Sequence, residues 1–554
     1  GHGITNVFWD DNGSSFDNGA QGEGYSDIWA CGITHSPLIG PGFFIGQQNS
    51  TIGRNDINPK VYPQDIVGQV HADGEIIAGA WWDCGQYWNS VDSMADLFAQ
   101  SHYGLATGPD GQEGQVYFDI LIDALQYDDD NGNIYDGTPH FNYITKGFSD
   151  HGIDLLNNTS VQHTSPGSVI SGTPITITAT PISDFSNLIG DVKMIYRKKG
   201  TTISDTITMT KVGANCTAQI TGTSIGDVYE YIFAVYDNYN SIAVFSPSKS
   251  AFSNGFTTRN IPYYTMVGYN TVLAEPFDNI NSSTPDWIIG NGASDNATGG
   301  KWTVAIPIAS TTNGDTVQTG KDHSSGTGKC AVTGNAASAT APAGNADVDG
   351  GRTSLVTENY NLATYNKPII SYWRWFSNSQ SSSDPGKDLW RVWISYDNGL
   401  TWKMVERTYI PDVRWRQNVI IPDLSLGTTA KLMFIATDSV YTGVSGTWVE
   451  AAIDDIEILE VGNGSSVGVQ NIADLQASIY PNPAQNNIQI QMPTSGLLHY
   501  EIINTLGETI LQADLNQIAN TPINIHTTTL SNGIYFVKLH LNDKQVTHRI
   551  LIAK

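Results

Sequence analysis

His2, Glu23 and Asp27 are the residues whose types and spacing point most directly to chemistry. Imidazole nitrogen and carboxylate oxygen are donors that zinc takes, and a catalytic zinc uses three protein ligands and keeps one position open for water. Glu23 and Asp27 stand at i and i+4, so a helix would put them on one face. Glu23 could then reach a metal while Asp27 accepts the second ring N–H of a ligating histidine and fixes its orientation. His2 would ligate from a preceding helix. Taken alone, these residues read more readily as a solvated histidine near a terminus and two surface carboxylates. His71, taken alone, reads as a helix-start histidine bonded to Glu75 one turn on.

A second cluster lies in DDDNGNIYD. Asp128, Asp130 and Asp136, with Asn131 and Gly132, have the composition of a calcium loop. The spacing is not that of an EF-hand, so calcium and an acidic solvated turn stand as alternatives. His35, His102, His140 and His151 read as ordinary surface or core residues.

The elements that must position these residues follow from periodicity. Up to about residue 157 the period is helical. Ile77, Trp81, Cys84 and Trp88 share one helix face, and Phe118, Leu121, Ile122 and Leu125 repeat the spacing. Thr138-Pro139 predicts a cap with proline at the first helical position, closed by Gly152. From 158 to 260 the period becomes two, in PITITATPI, KMIYRKK, DTITMTKV and YEYIFAVYD, which predicts an immunoglobulin-like or fibronectin-like sandwich. Residues 265–461 carry strands such as IISYWRWFSN and LWRVWISYD between long polar loops, which predicts a jelly roll. Residues 462–471 read as a flexible linker and 472–554 as a small third sandwich, with Ser531-Asn532-Gly533 as a hairpin turn and a basic last strand carrying Lys544, His548, Arg549 and Lys554. The fold class is therefore multidomain, a mainly α lobe followed by all-β sandwiches.

GHGITN, GEGYSD and VHADGE, in that order, resemble the fungalysin-like and thermolysin-like zinc metallopeptidases, whose pattern is H-E-Y-x-H-G, G-E-G-[WY]-S-D and V-H-x-x-G-E. DDDNGNIYDGTPHFNYI resembles a stretch near the end of the helical lobe in bacterial relatives. The resemblance implies that His2 is the second zinc ligand, Glu23 the third and Asp27 the orienting carboxylate. It implies that His71 steadies the oxyanion of the tetrahedral intermediate during cleavage of protein or peptide substrates. The first histidine and the catalytic glutamate of H-E-x-x-H would precede Gly1, as would the β-rich lobe that lines the substrate. The expectation is a truncated secreted endopeptidase that binds zinc weakly and is inactive as it stands. The alternative is a non-catalytic surface adhesin or glycan-binding protein with a vestigial protease lobe.

KDHSSGTGKCAVTGN, NADVDGGRTSLVT, ISYDNGLTW and WVEAAIDDIEIL resemble MAM-like jelly-roll modules of secreted bacterial proteases. Asp322, Asp347, Asp349, Asp454 and Asp455 offer oxygen ligands for a structural calcium there. Tyr372, Trp373, Trp375, Trp390, Trp393 and Trp402 read as sandwich core or as a sugar-stacking platform. YPNPAQNNIQI, YEIINTLGETI and LSNGIYFVKL resemble the C-terminal sorting domain of type IX secretion substrates. This implies contact with the outer-membrane secretion machinery, export across the outer membrane, and a secreted or surface-attached product.

The bulk numbers agree with an extracellular setting. Charged residues make up 15% of the 554, glycine numbers 55, and the formal net charge is −27. Such a surface repels phosphates and excludes nucleic acid as a partner. No apolar run approaches the roughly 18 residues of a membrane span. Cys31 and Cys84 could pair, and the spacing leaves this open, whereas Cys216 and Cys330 read as single buried thiols.

Overall fold

A computed structural model describes residues 1–11, 18–41, 53–102, 113–252, 259–312, 315–324, 326–341, 344–379, 388–439, 447–462, 477–492, 495–504, 509–519, 521–541 and 544–554. The expected linker falls almost wholly outside them. The chain forms two compact units, Gly1–Gly464 and Ser465–Lys554.

The first unit opens with helices α1 (His2–Asp11), α2 (Gly19–Thr34), α3 (Val70–Trp88), α4 (Val91–Ser101), α5 (Glu113–Asp128) and α6 (Phe141–Asp150). Asn18 and Ser90 cap α2 and α4 by accepting backbone N–H bonds, from Gln21 and Ser93. Ile77, Trp81 and Cys84 are buried as the helical spacing requires, and Leu121 and Leu125 join them. The start of α6 differs from expectation: it begins at Phe141, two residues past Pro139. Asp128 accounts for the shift, because its Oδ2 takes the Thr138 hydroxyl and the His140 N–H (2.7 Å), holding the chain in a turn before the helix.

The first sandwich faces a sheet of Ser160–Gln162, Ile175–Ile182, Asn215–Ile220 and Thr210–Val212 against a sheet centred on Val228–Asp237 and Ile189–Lys198. Strand Tyr263–Val267 also belongs to that second sheet, pairing antiparallel with Val228–Asp237 and parallel with Gly167–Val169. The expected boundary at 260 to 265 thus falls inside this sandwich. The actual transition is Gly268, in a left-handed conformation (φ 72°), after which Tyr269–Glu275 pairs with Trp448–Val461 of the next sandwich. A period-two pattern that runs on without a proline or turn cluster could not mark that exchange. Nor does the core break near 157. One apolar cluster extends from Ala20 in α2 to Val267, and Tyr239 of the sandwich bonds Thr145 of α6 (2.7 Å).

The second sandwich has two six-stranded antiparallel sheets, more strands than the eight of a simple jelly roll. Its core holds Tyr372, Phe376, Trp390 and Phe434. Among the six aromatics with two readings, Tyr372, Trp375 and Trp390 are therefore interior, while Trp373, Trp393 and Trp402 are half-buried. In the second unit, Ser478–Tyr480, Asn487–Gln491 and Ile523–His526 form one sheet, and Thr509–Gln517, Gly496–Ile503, Gly533–Leu541 and Lys544–Ile552 the other. Ser531-Asn532 does not close a hairpin, because the strands on either side of it lie in different sheets; the hairpin is made instead by Gly533–Leu541 with Lys544–Ile552. All four cysteines are free and buried, so Cys31 and Cys84 are not bridged.

Candidate functional site

Two glycines bring the site together. An ideal Cβ on Gly24 would stand 2.6 Å from the carbonyl oxygen of Gly74, and one on Gly74 would stand 2.7 Å from that of Ala20. Helices α2 and α3 therefore cross backbone against backbone, which only hydrogen side chains allow. Glu23 is next to one glycine and His71 lies one turn before the other, so this crossing sets both side chains in one place. The start of α1 lies against Ser26 of α2, where a Cβ on Gly1 would overlap the Ser26 carbonyl, and this delivers His2 from the other side.

Nε2 of His2 lies 3.5 Å from Oε1 of Glu23, and its Nδ1 lies 2.8 Å from the Ser26 hydroxyl. That hydroxyl donates to the Gly22 carbonyl (2.8 Å), so it accepts from Nδ1–H of His2. The assignment leaves a lone pair on Nε2 facing a carboxylate oxygen. Two acceptors in that arrangement need a proton or a cation between them. With zinc–donor distances of about 2.0–2.2 Å, two tetrahedral ligands stand roughly 3.4 Å apart, so this pair fits two positions of a zinc site. Oε2 of Glu23 lies 2.7 Å from Nδ1 of His71. Among the described residues no group of three or more His, Cys, Asp or Glu side chains is placed to hold a metal ion.

Asp27 is buried, and no ligating histidine reaches it. Arg54 fills that role with a two-pronged pair, Nε to Oδ2 at 2.7 Å and Nη2 to Oδ1 at 2.8 Å. Burial pushes the Asp27 carboxyl above the usual range while Arg54 opposes the rise. Nη1 of Arg54 also lies 3.1 Å from Nδ1 of His71. Nδ1 of this half-exposed ring is thereby engaged by both Glu23 and Arg54. Glu75 is not the partner of His71; it pairs with Lys60 at 3.3 Å. Sequence reasoning missed Arg54, which sits in GRNDINP with no periodic signal and is paired across 27 positions.

Three of the calcium candidates make contacts within the chain. Asp128 receives Nδ1 of His140 at 2.6 Å, and Asp136 receives the Asn133 amide at 3.0 Å, while Asp130 is exposed. Oδ2 of Asp455 lies 2.6 Å from Nδ1 of His323. Asp347 is buried, and burial together with the Asp349 charge pushes its carboxyl up to about 7; Glu450 and Asp454 rise to about 7 with burial as the leading cause. Native pKa values above the unfolded ones mean that the folded state binds the extra protons. Stability is then fullest below about pH 4 for these groups and falls as pH rises through about 7. Thermal melts of the whole chain at pH 5 and pH 8 are expected to show a lower transition at pH 8, and equal transitions would contradict the burial of these acids.

Comparison with known proteins bears on the second unit most. A family model described as a secretion system C-terminal sorting domain matches residues 478–553. No curated protein matches the chain. Among solved structures, the carbohydrate-binding module TmCBM61 in complex with β-1,4-galactotriose is 13% identical, with 34% of this chain and 97% of that one covered at a TM-score of 0.20. The tandem CBM22 domain of Paenibacillus barcinonensis Xyn10C is 10% identical, covering 54% and 91% at 0.20. Dimeric latent PorU from Porphyromonas gingivalis is 9% identical, covering 71% and 34% at 0.13. Likeness at that level assigns no role to any residue here. Among the described residues no helix is long and apolar enough to cross a membrane. Residues 478–553 are a type IX sorting domain, and the protein is exported across the outer membrane to the cell surface or the medium.

Proposed function

We propose that the helical segment belongs to an exported zinc-dependent endopeptidase of the fungalysin-like and thermolysin-like kind, acting on proteins or peptides. The observation that supports this reading is the meeting of His2, Glu23 and His71, from three helices, around one carboxylate. In this reading His2 and Glu23 hold the metal. Bound zinc supplies Lewis-acid polarisation of a water and of the peptide carbonyl. With Nδ1 accepting from Arg54, the proton of a neutral His71 would sit on Nε2 and could be donated to a developing oxyanion, while Arg54 holds both Asp27 and His71 in place. A complete structural zinc site is worth about 10–16 kcal/mol. Two donors retain far less, so His2 and Glu23 alone would hold zinc weakly.

One observation favours a second reading, glycan binding by the jelly roll. His323 stacks on Trp373 (3.6 Å between centroids) with Trp415 edge-on at 6.0 Å, all half-buried on the outer face of one sheet. The coding sequence upstream of Gly1 separates the two. An in-frame H-E-[YF] preceded by a β-rich lobe is the expected finding, and unrelated sequence would contradict the peptidase and leave the glycan-binding reading.

A further inference from the structure

Strand Ile189–Lys198 of the first sandwich ends beside strand Asp412–Ile420 of the jelly roll, and a cleft of about 400 Å³ opens between them. That volume lies within the range of about 300–1,000 Å³ typical of small-molecule sites. Its charge is opposite to that of the chain. Glu230, 2% exposed, is the acid of the first sandwich in this cleft, and three cations surround it. Arg197 bonds one of its oxygens, Nε to Oε1 at 2.5 Å, and Oε2 has no hydrogen-bond partner. Lys199 and Arg259 each stand 3.7 Å from Oε2, too far for a hydrogen bond.

The jelly-roll side does not correct the imbalance. Glu406, in a smaller pocket that adjoins the cleft, is taken by Arg374 (2.8 Å), Tyr372 (2.6 Å) and Asn418 (3.0 Å), and Arg407 lines that same adjoining pocket. Lys199 has three N–H donors, and its hydrogen bond goes to the Tyr264 hydroxyl at 3.3 Å, whose own proton goes to Asn418. Arg259 uses Nε on the Ala251 carbonyl, and its Nη2 faces Oε2 of Glu230 at 3.7 Å. Three cations around the one carboxylate of Glu230 leave an excess of positive charge that an anion could balance. In a protein of net charge −27, such a gathering is not the average surface.

We infer that this cleft binds a small hydroxylated ligand through one oxyanion, a carboxylate or a sulfate, held by Lys199 and Arg259. The Thr201 and Thr202 side of the cleft can serve ligand hydroxyls, and Val405 and Ile420 give an apolar wall, so an acidic monosaccharide matches the mix. The site is independent of the helical segment and of the peptidase reading. Burial pulls the Lys199 ammonium down to about 8, with Glu230 opposing and Arg259 and Arg197 adding to the fall. Affinity should therefore weaken as pH passes from 7 to 9, because the deprotonated amine no longer attracts the anion.

Titration calorimetry of the whole chain with sodium glucuronate, sodium sulfate and neutral glucose tests this. One-site binding of glucuronate or sulfate is expected, with glucose silent; the tighter of the two anions identifies carboxylate or sulfate as the natural group. Lys199→Met and Arg259→Gln should each weaken the binding at least tenfold. Arg259 lies at the rim, so its variant decides the matter if the Lys199 variant does not fold. Silence with both anions, equal binding of glucose, or unchanged affinity in the Arg259 variant would overturn the inference.

Discussion

Replacing Gly74 with leucine is expected to destabilise the helical segment by about 3 kcal/mol or more and to part His71 from Glu23. Its Cβ would meet the Ala20 carbonyl oxygen at 2.7 Å and the Gly24 nitrogen at 2.9 Å, and backbone atoms cannot turn aside as a side chain could. Overpacking of this kind costs about 1–3 kcal/mol and occasionally more. Leucine is a good helix former, so propensity does not add to the loss. Gly3→Ala is the matched control, since nothing lies within 4 Å of its Cβ position in α1 and the change should be neutral or gain up to about 1 kcal/mol. The first transition in urea unfolding reads both. A Gly74 variant within about 0.5 kcal/mol of the parent, the range of an ordinary surface change, would contradict the close crossing.

Arg54→Ala should cost about as much by a different route. It strands Asp27, whose side chain is 5% exposed, without the guanidinium that faces both its oxygens. Removing one partner of a buried ion pair costs about 3–5 kcal/mol, because the other charge is left uncompensated. Arg54→Lys keeps the charge but loses the planar fork and should fall between the two. The loss carries a pH signature. A stranded carboxylate escapes by taking a proton, so the deficit of Arg54→Ala against the parent should shrink as pH falls from 8 to 5. A deficit that is constant over that range would show that lost packing, not an unpaired charge, is responsible.

The site was legible where the sequence repeats a local rule. GEGYSD and VHADGE carry glycines whose purpose is the helix crossing, and the same crossing explains why Glu23 and His71 meet. The apolar face of α3 and the alternating strands were legible for the same reason. What failed was long-range or competitive. Arg54 meets Asp27 only through the fold. Tyr263–Val267 joins the earlier sandwich because its hydrogen-bond partner is Val228–Asp237, a choice that period-two patterning does not encode. Pro139 signals a helix start locally, but the Asp128 carboxylate competes for the same backbone and delays it. The acidic loops illustrate a third limit: composition suggests calcium but does not show the contacts the fold gives Asp128, Asp136 and Asp455 with His140, Asn133 and His323.

The central claim is that His2 and Glu23 are two donors of one zinc site. Titration calorimetry of the chain with zinc, repeated on Glu23→Gln and on His2→Ala, tests it most directly. An amide in place of the Glu23 carboxylate keeps the shape but not the charge, so the fold survives while the donor weakens. The expected result is one weak site in the parent that is lost in both variants. A site of unchanged affinity in either variant, or no zinc binding by the parent, would contradict the claim.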